Sequence, residues 1–238
     1  MSAQLMVALD VPDSRPVPAL LRRLPPAIAA CKVGLELFTA EGPRLLELLA
    51  ENGRPAFLDL KLHDIPRTVA RAVAAAARHG VAWLTVHAAG GREMLTAAAD
   101  AARAAGPRAP RLLAVTVLTS LAPADLPELG IARALPEQAL ALGELAVGCG
   151  IAGLVCSPLE AAAFRARLGP APILVTPGIR PAGAALGDQK RVATPADAVR
   201  AGANYLVVGR PILEAPDPAA AAEGILAQMR AAAEARRP

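Results

Sequence analysis

The sequence predicts a (β/α)8 (TIM) barrel of the α/β class, formed as one domain over residues 1–238. Eight short apolar runs alternate with longer Ala/Leu/Arg/Glu-rich segments of helical period. The runs are apolar on both faces, which is typical of parallel strands covered by helices. An open, doubly wound sheet is the alternative, but no Gly-x-Gly-x-x-Gly motif follows the first run. No linker or charge run divides the chain, so we expect a single domain.

Each predicted strand is a short apolar run that turn residues bound on both sides. The strand-like runs are 4–10, 29–35, 56–61, 82–87, 111–118, 152–156, 172–176 and 205–209. The helical segments between them lie near 15–23, 41–52, 66–79, 91–105, 136–148, 158–168, 194–201 and 217–235. Glycines stand where five of the helices should end, at Gly53, Gly80, Gly106, Gly150 and Gly202. The remaining stretches 12–18, 107–110 and 119–136 are predicted as loops.

Composition excludes several classes of protein. A hydrophobic fraction of 54% and a mean hydropathy of +0.40 are typical of a large core and exclude a disordered chain. No apolar run reaches the roughly 18 residues of a membrane span, and residues 1–10 lack the features of a secretory signal. We therefore expect a cytoplasmic protein. Cys31, Cys149 and Cys156 form no Cys-x-x-Cys pair, which indicates reduced, buried thiols.

The charge balance is basic, with a net charge of +4 and a pI near 9.4. The basic residues are scattered, and one Trp and one Tyr offer few rings for stacking bases, so we expect no nucleic-acid partner. Only three of the 25 basic residues are lysine, namely Lys32, Lys61 and Lys190. A lysine ammonium can give up a proton when its surroundings tune it, whereas an arginine cannot. These lysines are therefore either candidates for proton transfer or chance survivors on the surface.

Polar residues and glycines stand at the end of almost every predicted strand. In a (β/α)8 barrel these ends converge at one mouth, where the βα loops build the active site. The predicted rim contains Asp10, Lys32–Gly34, Asp59–Asp64, His87, Thr119–Ser120, Ser157, Thr176–Arg180 and Gly209–Arg210. This pattern predicts a functional mouth.

The third strand carries two charges on one face. Side chains alternate along a strand, so Asp59 and Lys61 share a face with Phe57, which should close the floor, while Leu58 and Leu60 take the other face. An Asp–Lys ion pair could be purely structural, but desolvation makes buried ion pairs poor stabilisers. The pair therefore indicates chemistry at the barrel mouth.

Further charges are expected beside this pair. Asp10 and Lys32 end the first two strands, and Asp64 follows the third, so three aspartates and two lysines should converge. For Asp64 the alternative is an N-cap ahead of Pro66 in the first turn of a helix. Convergence of so many charges is hard to explain by packing.

The loops after strands seven and eight suggest a phosphate site. Barrels commonly bind phosphate there, and these loops contain Gly178-Ile179-Arg180 and Gly209-Arg210. Glycine lets backbone N–H groups approach a phosphate, and arginine offers a bidentate fork. Ordinary turn glycines beside solvated arginines are the alternative for either pair alone. Two such pairs at matching positions favour phosphate.

The run Asp59-Leu60-Lys61-Leu62-His63-Asp64-Ile65-Pro66 closely resembles the signature of the orotidine 5′-phosphate decarboxylase family. The resemblance extends in consistent order over essentially the whole chain. It includes Ala8-Leu9-Asp10, Cys31-Lys32-Val33-Gly34, Val117-Leu118-Thr119-Ser120, Thr176-Pro177-Gly178-Ile179-Arg180, Asp188-Gln189-Lys190-Arg191 and Val208-Gly209-Arg210-Pro211-Ile212. The D-x-K-x-x-D pattern alone is shared by related barrels. Two departures are Arg67, where the family usually has Asn, and Gly187, where a second acidic residue is common.

The resemblance implies decarboxylation of orotidine 5′-monophosphate (OMP) to UMP in de novo pyrimidine biosynthesis, without metal or cofactor. It implies that Lys61 stabilises and protonates the C6 carbanion and that Asp59 lies near the leaving carboxylate. Lys32 would pair with the aspartates and hold a ribose hydroxyl. Asp64 and Thr68 would reach into the site of a neighbouring subunit, which makes a homodimer the catalytic unit.

The remaining binding residues are implied in the same way. Asp10 matches the residue that binds the ribose, and Gln189 would reach the phosphate and the base. Thr119 and Ser120 would read the pyrimidine edge. Arg180, Gly209 and Arg210 keep the phosphate role that the loops after strands seven and eight already suggest.

Three other groups have simpler interpretations. His63 and His87 are expected to be structural, because nothing near them completes a triad or metal site. Lys190 is expected to be a solvated loop charge, and Glu36 with Asp59 makes no convincing metal pair.

Two rival functions stay open at this point. One is a Mg²⁺-dependent sugar-phosphate decarboxylase or synthase that uses the same D-x-K-x-x-D pattern. Such an enzyme needs carboxylates free to hold the metal, whereas Lys32 and Lys61 compete for those oxygens. The other rival is a non-catalytic sensor of a phosphate ligand.

Overall fold

The computed structural model describes residues 3–181 and 191–235. Eight parallel strands close into a barrel in chain order, and the last strand pairs with the first. The strands are β1 (Gln4–Ala8), β2 (Ala30–Val33), β3 (Ala56–Leu62), β4 (Trp83–His87), β5 (Arg111–Val115), β6 (Gly153–Val155), β7 (Ile173–Thr176) and β8 (Tyr205–Val208). The predicted (β/α)8 barrel is confirmed.

Helices follow the strands and cover the outside of the barrel. They are α1 (Val17–Arg23), α2 (Leu35–Glu41), α3 (Arg44–Glu51), α4 (Pro66–Arg78), α5 (Gly91–Ala104), α6 (Asp125–Glu128), α7 (Leu135–Gly148), α8 (Ala161–Leu168), α9 (Pro195–Arg200), α10 (Arg210–Leu213) and α11 (Pro218–Glu234). Within residues 3–181 and 191–235, no helix combines the length and apolar character that crossing a bilayer requires.

Two helical predictions need correction. The helix predicted over 41–52 begins only at Arg44, as α3, and the separate helix α2 that precedes it was not predicted. Gly42 has a φ of +64° and Pro43 follows it, so the chain cannot continue an α-helix through this point. The predicted loop 119–136 contains the short helix α6. The five glycines predicted to follow helices all have positive φ.

The apolar side chains form two cores that the strands separate. A small core fills the barrel interior, and Phe57 lies in it, 1% exposed. A larger core lies between the strands and the helices and includes Leu58, with Leu60 packed against it. The predicted alternation along β3 is therefore confirmed, because Asp59 and Lys61 share the interior face with Phe57.

The three cysteines are free and buried, as predicted. Burial raises the pKa of the Cys31 thiol to about 11, and it also raises the pKa of the Cys156 thiol. Neither thiol is therefore ionised near neutral pH.

Candidate active site

A cavity of about 290 Å³ opens at the carboxyl ends of the strands. It lies where the mouth of a (β/α)8 barrel collects its βα loops. Nine predicted catalytic or binding residues line it, namely Asp10, Lys32, Asp59, Lys61, Thr119, Ser120, Arg180, Gly209 and Arg210. Phe57 of the predicted floor and Gly178 of the predicted phosphate loop line it as well. The cavity therefore joins the charges of β2 and β3, and Asp10 after β1, with the loops that follow β5, β7 and β8.

The charges alternate in sign across the mouth. Lys32 Nζ lies 3.0 Å from Asp10 Oδ1 and 3.8 Å from Asp59 Oδ2, and Lys61 Nζ lies 2.9 Å from the same Asp59 oxygen. The side chains of Lys32 and Asp59 are 13% exposed, whereas that of Lys61 is 31% exposed. Each carboxylate therefore has an ammonium neighbour, and of the two lysines Lys61 is the more accessible from the cavity.

The backbone of β3 is distorted at the reactive position. Lys61 has a φ of +50° and is the one non-glycine residue in the described ranges with positive φ. The pairing of β3 with β4 shifts register between Leu58 and Leu62. A left-handed backbone is costly for a lysine and persists only where neighbouring contacts hold it. The distortion therefore marks a position whose side-chain direction is constrained.

Thr85 on β4 supplies the contacts that hold this distortion. Its hydroxyl accepts a hydrogen bond from the Lys61 amide at 2.8 Å and donates to Asp59 Oδ1 at 2.9 Å. Thr85 is fully buried, so both hydrogen bonds are shielded from water. The threonine thus fixes the backbone of one charged residue and the carboxylate of the other.

We expect Thr85→Val to lower the free energy of unfolding by about 2 kcal/mol, because it leaves the Lys61 amide without its acceptor. We also expect kcat to fall, since Asp59 and Lys61 lose their common anchor. Thr116→Val is the matched control, because Thr116 is equally buried but donates only to the Val155 carbonyl at 3.3 Å. Denaturant unfolding and steady-state kinetics measure both effects. Equal losses in the two variants would contradict the anchoring role.

Thr85 is a site residue that was not predicted from the sequence. Its signal was present, because Trp83, Thr85 and His87 alternate along β4 and Trp83 lies in the interior core. A threonine on the interior face of an apolar strand was therefore the clue. The sequence around Thr85 does not indicate its hydrogen-bond partner Asp59, because Asp59 lies 26 positions away.

Gly209 lies against Asp10. A Cβ atom at Gly209 would stand 2.9 Å from Asp10 Oδ2 and 3.3 Å from the Ala8 Cβ. A side chain here would displace the carboxylate that pairs with Lys32. Close packing against Asp10 therefore requires glycine at this position, in addition to any contact of its amide with a ligand.

The two glycine–arginine loops line the same cavity. Gly178 has a φ of +73°, and Arg180 is 8% exposed and donates to the Ile179 carbonyl at 2.9 Å. The Arg180 amide also donates to the Ala193 carbonyl at 2.9 Å, which ties this loop to the segment that begins at residue 191. Two arginines, Arg180 and Arg210, thus line the cavity from the loops after β7 and β8.

Asp64 and Thr68 do not join the cavity of their own chain. Both are exposed, and neither is among the described residues that line the cavity. The expectation that three aspartates converge is therefore wrong within one chain, where Asp10 and Asp59 meet without Asp64. The N-cap alternative is also wrong, because Ile65 is the N-cap of α4 and Asp64 Oδ1 accepts from the Ile65 amide.

Two residues of the predicted site region cannot be placed, and two others lie away from the cavity surface. Gln189 and Lys190 lie outside the described residues. Ser157 and Thr176, both expected at the rim, are fully buried and are not among the described residues that line the cavity.

His63 and His87 stack beside the mouth, with ring centroids 5.2 Å apart and planes 15° apart. His87 Nδ1 accepts a hydrogen bond from the Ala89 amide at 3.2 Å. Burial lowers the pKa of His87, and the nearby His63 and Lys61 lower it further. A neutral, packed imidazole at His87 fits a structural role.

The carboxylates at the mouth are poorly suited to hold a metal ion. Asp10 and Asp59 already pair with ammonium groups, and Glu36 is exposed. Over residues 3–181 and 191–235, no group of three or more His, Cys, Asp or Glu side chains has a metal-binding arrangement.

A closed barrel with this open, charged mouth defines the chain as a (β/α)8-barrel enzyme whose site lies at the carboxyl ends of the strands. Within that class the chain belongs to the family described as "Orotidine 5'-phosphate decarboxylase / HUMPS family", which it matches over residues 3–225. The family assignment rests on nearly the whole length of the barrel.

Individual relatives agree with this assignment. The chain is 57% identical to an orotidine 5′-phosphate decarboxylase of Anaeromyxobacter sp. (strain K), over 95% of this chain and 98% of the relative. It is 56% identical to the enzyme of the same name from Halorhodospira halophila, over 96% and 97% of the two chains. Among solved structures, orotidine 5′-phosphate decarboxylase from Lactobacillus acidophilus superposes with a TM-score of 0.84 at 38% identity, covering 95% of this chain and 99% of that one.

Proposed function

We propose that this chain decarboxylates OMP to UMP in de novo pyrimidine biosynthesis and that Lys61 delivers the proton that replaces the carboxylate. The observation that carries the proposal is the Lys61 ammonium, which lies 2.9 Å from Asp59 and lines a cavity bordered by Arg180 and Arg210. Relatives of 48–57% identity that bear the name of this activity support the same reaction.

The reaction requires stabilisation of a carbanion. The bond between C6 and the carboxylate carbon breaks, CO2 leaves, and the electron pair remains on C6. Lys61 then gives one proton to C6, becomes a neutral amine and regains a proton from water. A preorganised cation is worth most where charge develops in the transition state, and Asp59 and Thr85 hold Lys61 in place beforehand.

Asp59 could act by repelling the substrate carboxylate or by orienting Lys61, and the energies of the two effects can be compared. Two carboxylates ~4 Å apart repel by about 4 kcal/mol at an effective dielectric near 20. Enzymes of the hardest reactions supply on the order of 20 kcal/mol or more. Repulsion between Asp59 and the substrate carboxylate is therefore the smaller contribution. Orientation of Lys61 and the binding energy of the distant phosphate supply the larger share.

Binding roles follow the two sides of the cavity. Arg180, Gly209 and Arg210 border the β7–β8 side and are assigned to the phosphate. Asp10 and Lys32 are assigned to the ribose hydroxyls. Their Oδ1 and Nζ atoms lie 3.0 Å apart. Thr119 and Ser120 are assigned to the edge of the pyrimidine. Gln189, which lies outside the described residues, is assigned to the phosphate and the base.

We further propose a homodimer in which Asp64 and Thr68 complete the partner's site. Their exposure and their separation from their own cavity support this arrangement. Leu35 and Ile65 are 55% and 66% exposed, and Ile65 follows Asp64, so apolar side chains are available for such an interface. We propose that residues 1–238 form one domain and that the protein is cytoplasmic, which the three free cysteines support.

An assay in excess chelator separates this proposal from a Mg²⁺-dependent activity. We expect OMP turnover, followed by its absorbance change, to be the same in excess EDTA and in added Mg²⁺, because ammonium groups occupy the carboxylates. Loss of turnover in EDTA would favour the metal-dependent alternative. Tight UMP binding without any turnover would favour a phosphate-ligand sensor.

A further inference from the structure

A buried ion pair stands beside the active site and takes no part in the proposed chemistry. The Arg191 guanidinium pairs with the Glu160 carboxylate, and their side chains are 12% and 8% exposed. Burying two charges has a large desolvation cost that their attraction barely repays. Stability alone therefore explains this pair poorly. The other hydrogen bonds of Arg191 indicate a role in holding a neighbouring loop.

Arg191 connects two loops through its side chain. Its Nη2 donates to the Val117 carbonyl at 3.2 Å and to the Leu118 carbonyl at 3.0 Å. Glu160 uses its second oxygen to accept from the Ser157 amide at 3.0 Å, so the pair is anchored at the end of β6. The guanidinium thus holds the chain after β5 against a fixed point.

The chain that Arg191 holds forms one wall of the cavity. Val117 and Leu118 line it, and so do Thr119 and Ser120 directly after them. Hydrogen bonds from a charged donor to two successive carbonyls restrict the direction in which the following residues leave the strand. The position of Thr119 and Ser120 therefore depends on Arg191.

The backbone near Arg191 contacts the opposite wall. Ile179 forms a β-bridge with Ala193, and the Arg180 amide donates to the Ala193 carbonyl at 2.9 Å. These are backbone contacts, so they do not require the Arg191 side chain. A substitution at 191 should therefore disturb the wall of Thr119 and Ser120 and leave the wall of Arg180 in place.

We propose that Arg191 is a positioning residue that sets the affinity of the site for the pyrimidine ring by fixing the Val117–Ser120 wall, with Glu160 as its anchor. The proposal rests on the proposed function, in which that wall faces the base and the Arg180 wall faces the phosphate. Arg191 touches no reacting atom in this scheme, so it acts on binding of the base and not on the proton transfer.

The test compares a ligand that has the base with one that lacks it. In Arg191→Met we expect the inhibition constant of UMP to rise about 10-fold and that of ribose 5-phosphate to change by less than about 2-fold, because charged hydrogen bonds are lost on one wall only. The KM for OMP should rise with the UMP constant, while kcat stays within about 3-fold.

Two further variants keep the result interpretable. Arg191→Lys retains a charge for Glu160 but lacks the planar guanidinium that reaches two carbonyls, so we expect the inhibition constant of UMP to rise about 3-fold. This variant tests the proposal even if Arg191→Met does not fold. Arg54→Met is the control, because Arg54 donates to the Leu21, Leu24 and Pro25 carbonyls at the other end of the barrel. Arg54→Met should lower the melting temperature but leave the ratio of the inhibition constants of UMP and ribose 5-phosphate unchanged.

The outcomes distinguish the two proposals. Equal changes for UMP and ribose 5-phosphate, unchanged UMP affinity in both Arg191 variants, or no UMP binding by the unmodified chain would overturn the positioning role. An unmodified chain that binds UMP without converting OMP would overturn the proposed function, and the comparison of ligands would still decide the role of Arg191.

Discussion

Replacing Lys61 with alanine is expected to lower kcat for OMP decarboxylation by roughly 10⁴-fold or more, because the variant loses both the proton donor and the cation that faces C6. UMP affinity should change far less, since the phosphate and ribose contacts remain. Lys61 is suited to this role by position as well as by chemistry. It lines the cavity and is held by Asp59 at 2.9 Å and by Thr85 through its amide.

Two controls separate charge from proton transfer at this position. Lys61→Arg keeps a positive charge but should also be nearly inactive, because a guanidinium with a pKa above 12 is a poor proton donor. Lys61→Met removes the charge and keeps much of the volume, so it should resemble the alanine variant. Absorbance kinetics with purified protein and thermal unfolding of each variant supply the measurements. Unchanged turnover in Lys61→Ala would contradict the role assigned to the lysine.

Asp64→Ala is expected to abolish most of the activity, although Asp64 lies outside the cavity of its own chain. In the proposed homodimer, its carboxylate completes the partner's site. A mixture of Lys61→Ala and Asp64→Ala chains should therefore recover activity, because one site of each mixed dimer has both residues intact. If equal amounts of the two variants exchange subunits at random, about half of the dimers are mixed and about a quarter of all sites are intact.

Asp100→Ala is the matched control for this experiment, because Asp100 is an exposed aspartate whose partner Arg103 lies on the same helix. Asp100→Ala should keep full activity alone, and its equal mixture with Lys61→Ala should show the mean of the two separate activities. Activity of the Lys61→Ala and Asp64→Ala mixture that equals the mean of the two separate variants would contradict a shared site. Sedimentation at the assay concentration measures whether the chain is a dimer.

The barrel itself was predictable from local patterns. Eight runs apolar on both faces, separated by helical segments, can hardly form anything but a covered parallel sheet. The boundaries were less predictable. The helix α2 was missed, because the strand before it was predicted to run to residue 35 although β2 ends at Val33, and the next helix was predicted to begin at residue 41. Gly42, with its positive φ, separates α2 from α3.

The active site was predictable where side chains alternate along a strand. That rule alone places Asp59 and Lys61 on one face of β3, and strand order brings Asp10 and Lys32 to the same mouth. The positive φ of Lys61 was not predictable, because the hydrogen bond that accompanies it is made with Thr85 on the neighbouring strand. Sequence patterns describe the strand that carries a residue but not the partner that strains it.

Contacts between distant parts of the chain were the other gap. Arg191 donates to the Val117 carbonyl from 74 positions away, and nothing in the local sequence of either segment indicates the other. The separation of Asp64 from Asp59 was missed for a related reason. Asp59 lies within β3, whereas Asp64 is exposed in the loop between β3 and α4, so nearness in sequence does not bring the two carboxylates together.

The most direct test of the central claim is a crystal structure with a UMP analogue that carries an anionic oxygen on C6, which stands in for the carbanion. We expect Lys61 Nζ to lie 2.7–3.1 Å from that oxygen, the range of a strong hydrogen bond to charge that develops in a transition state. A Lys61 ammonium more than about 5 Å from the oxygen, with another group in its place, would contradict the claim, because hydrogen bonds do not extend that far.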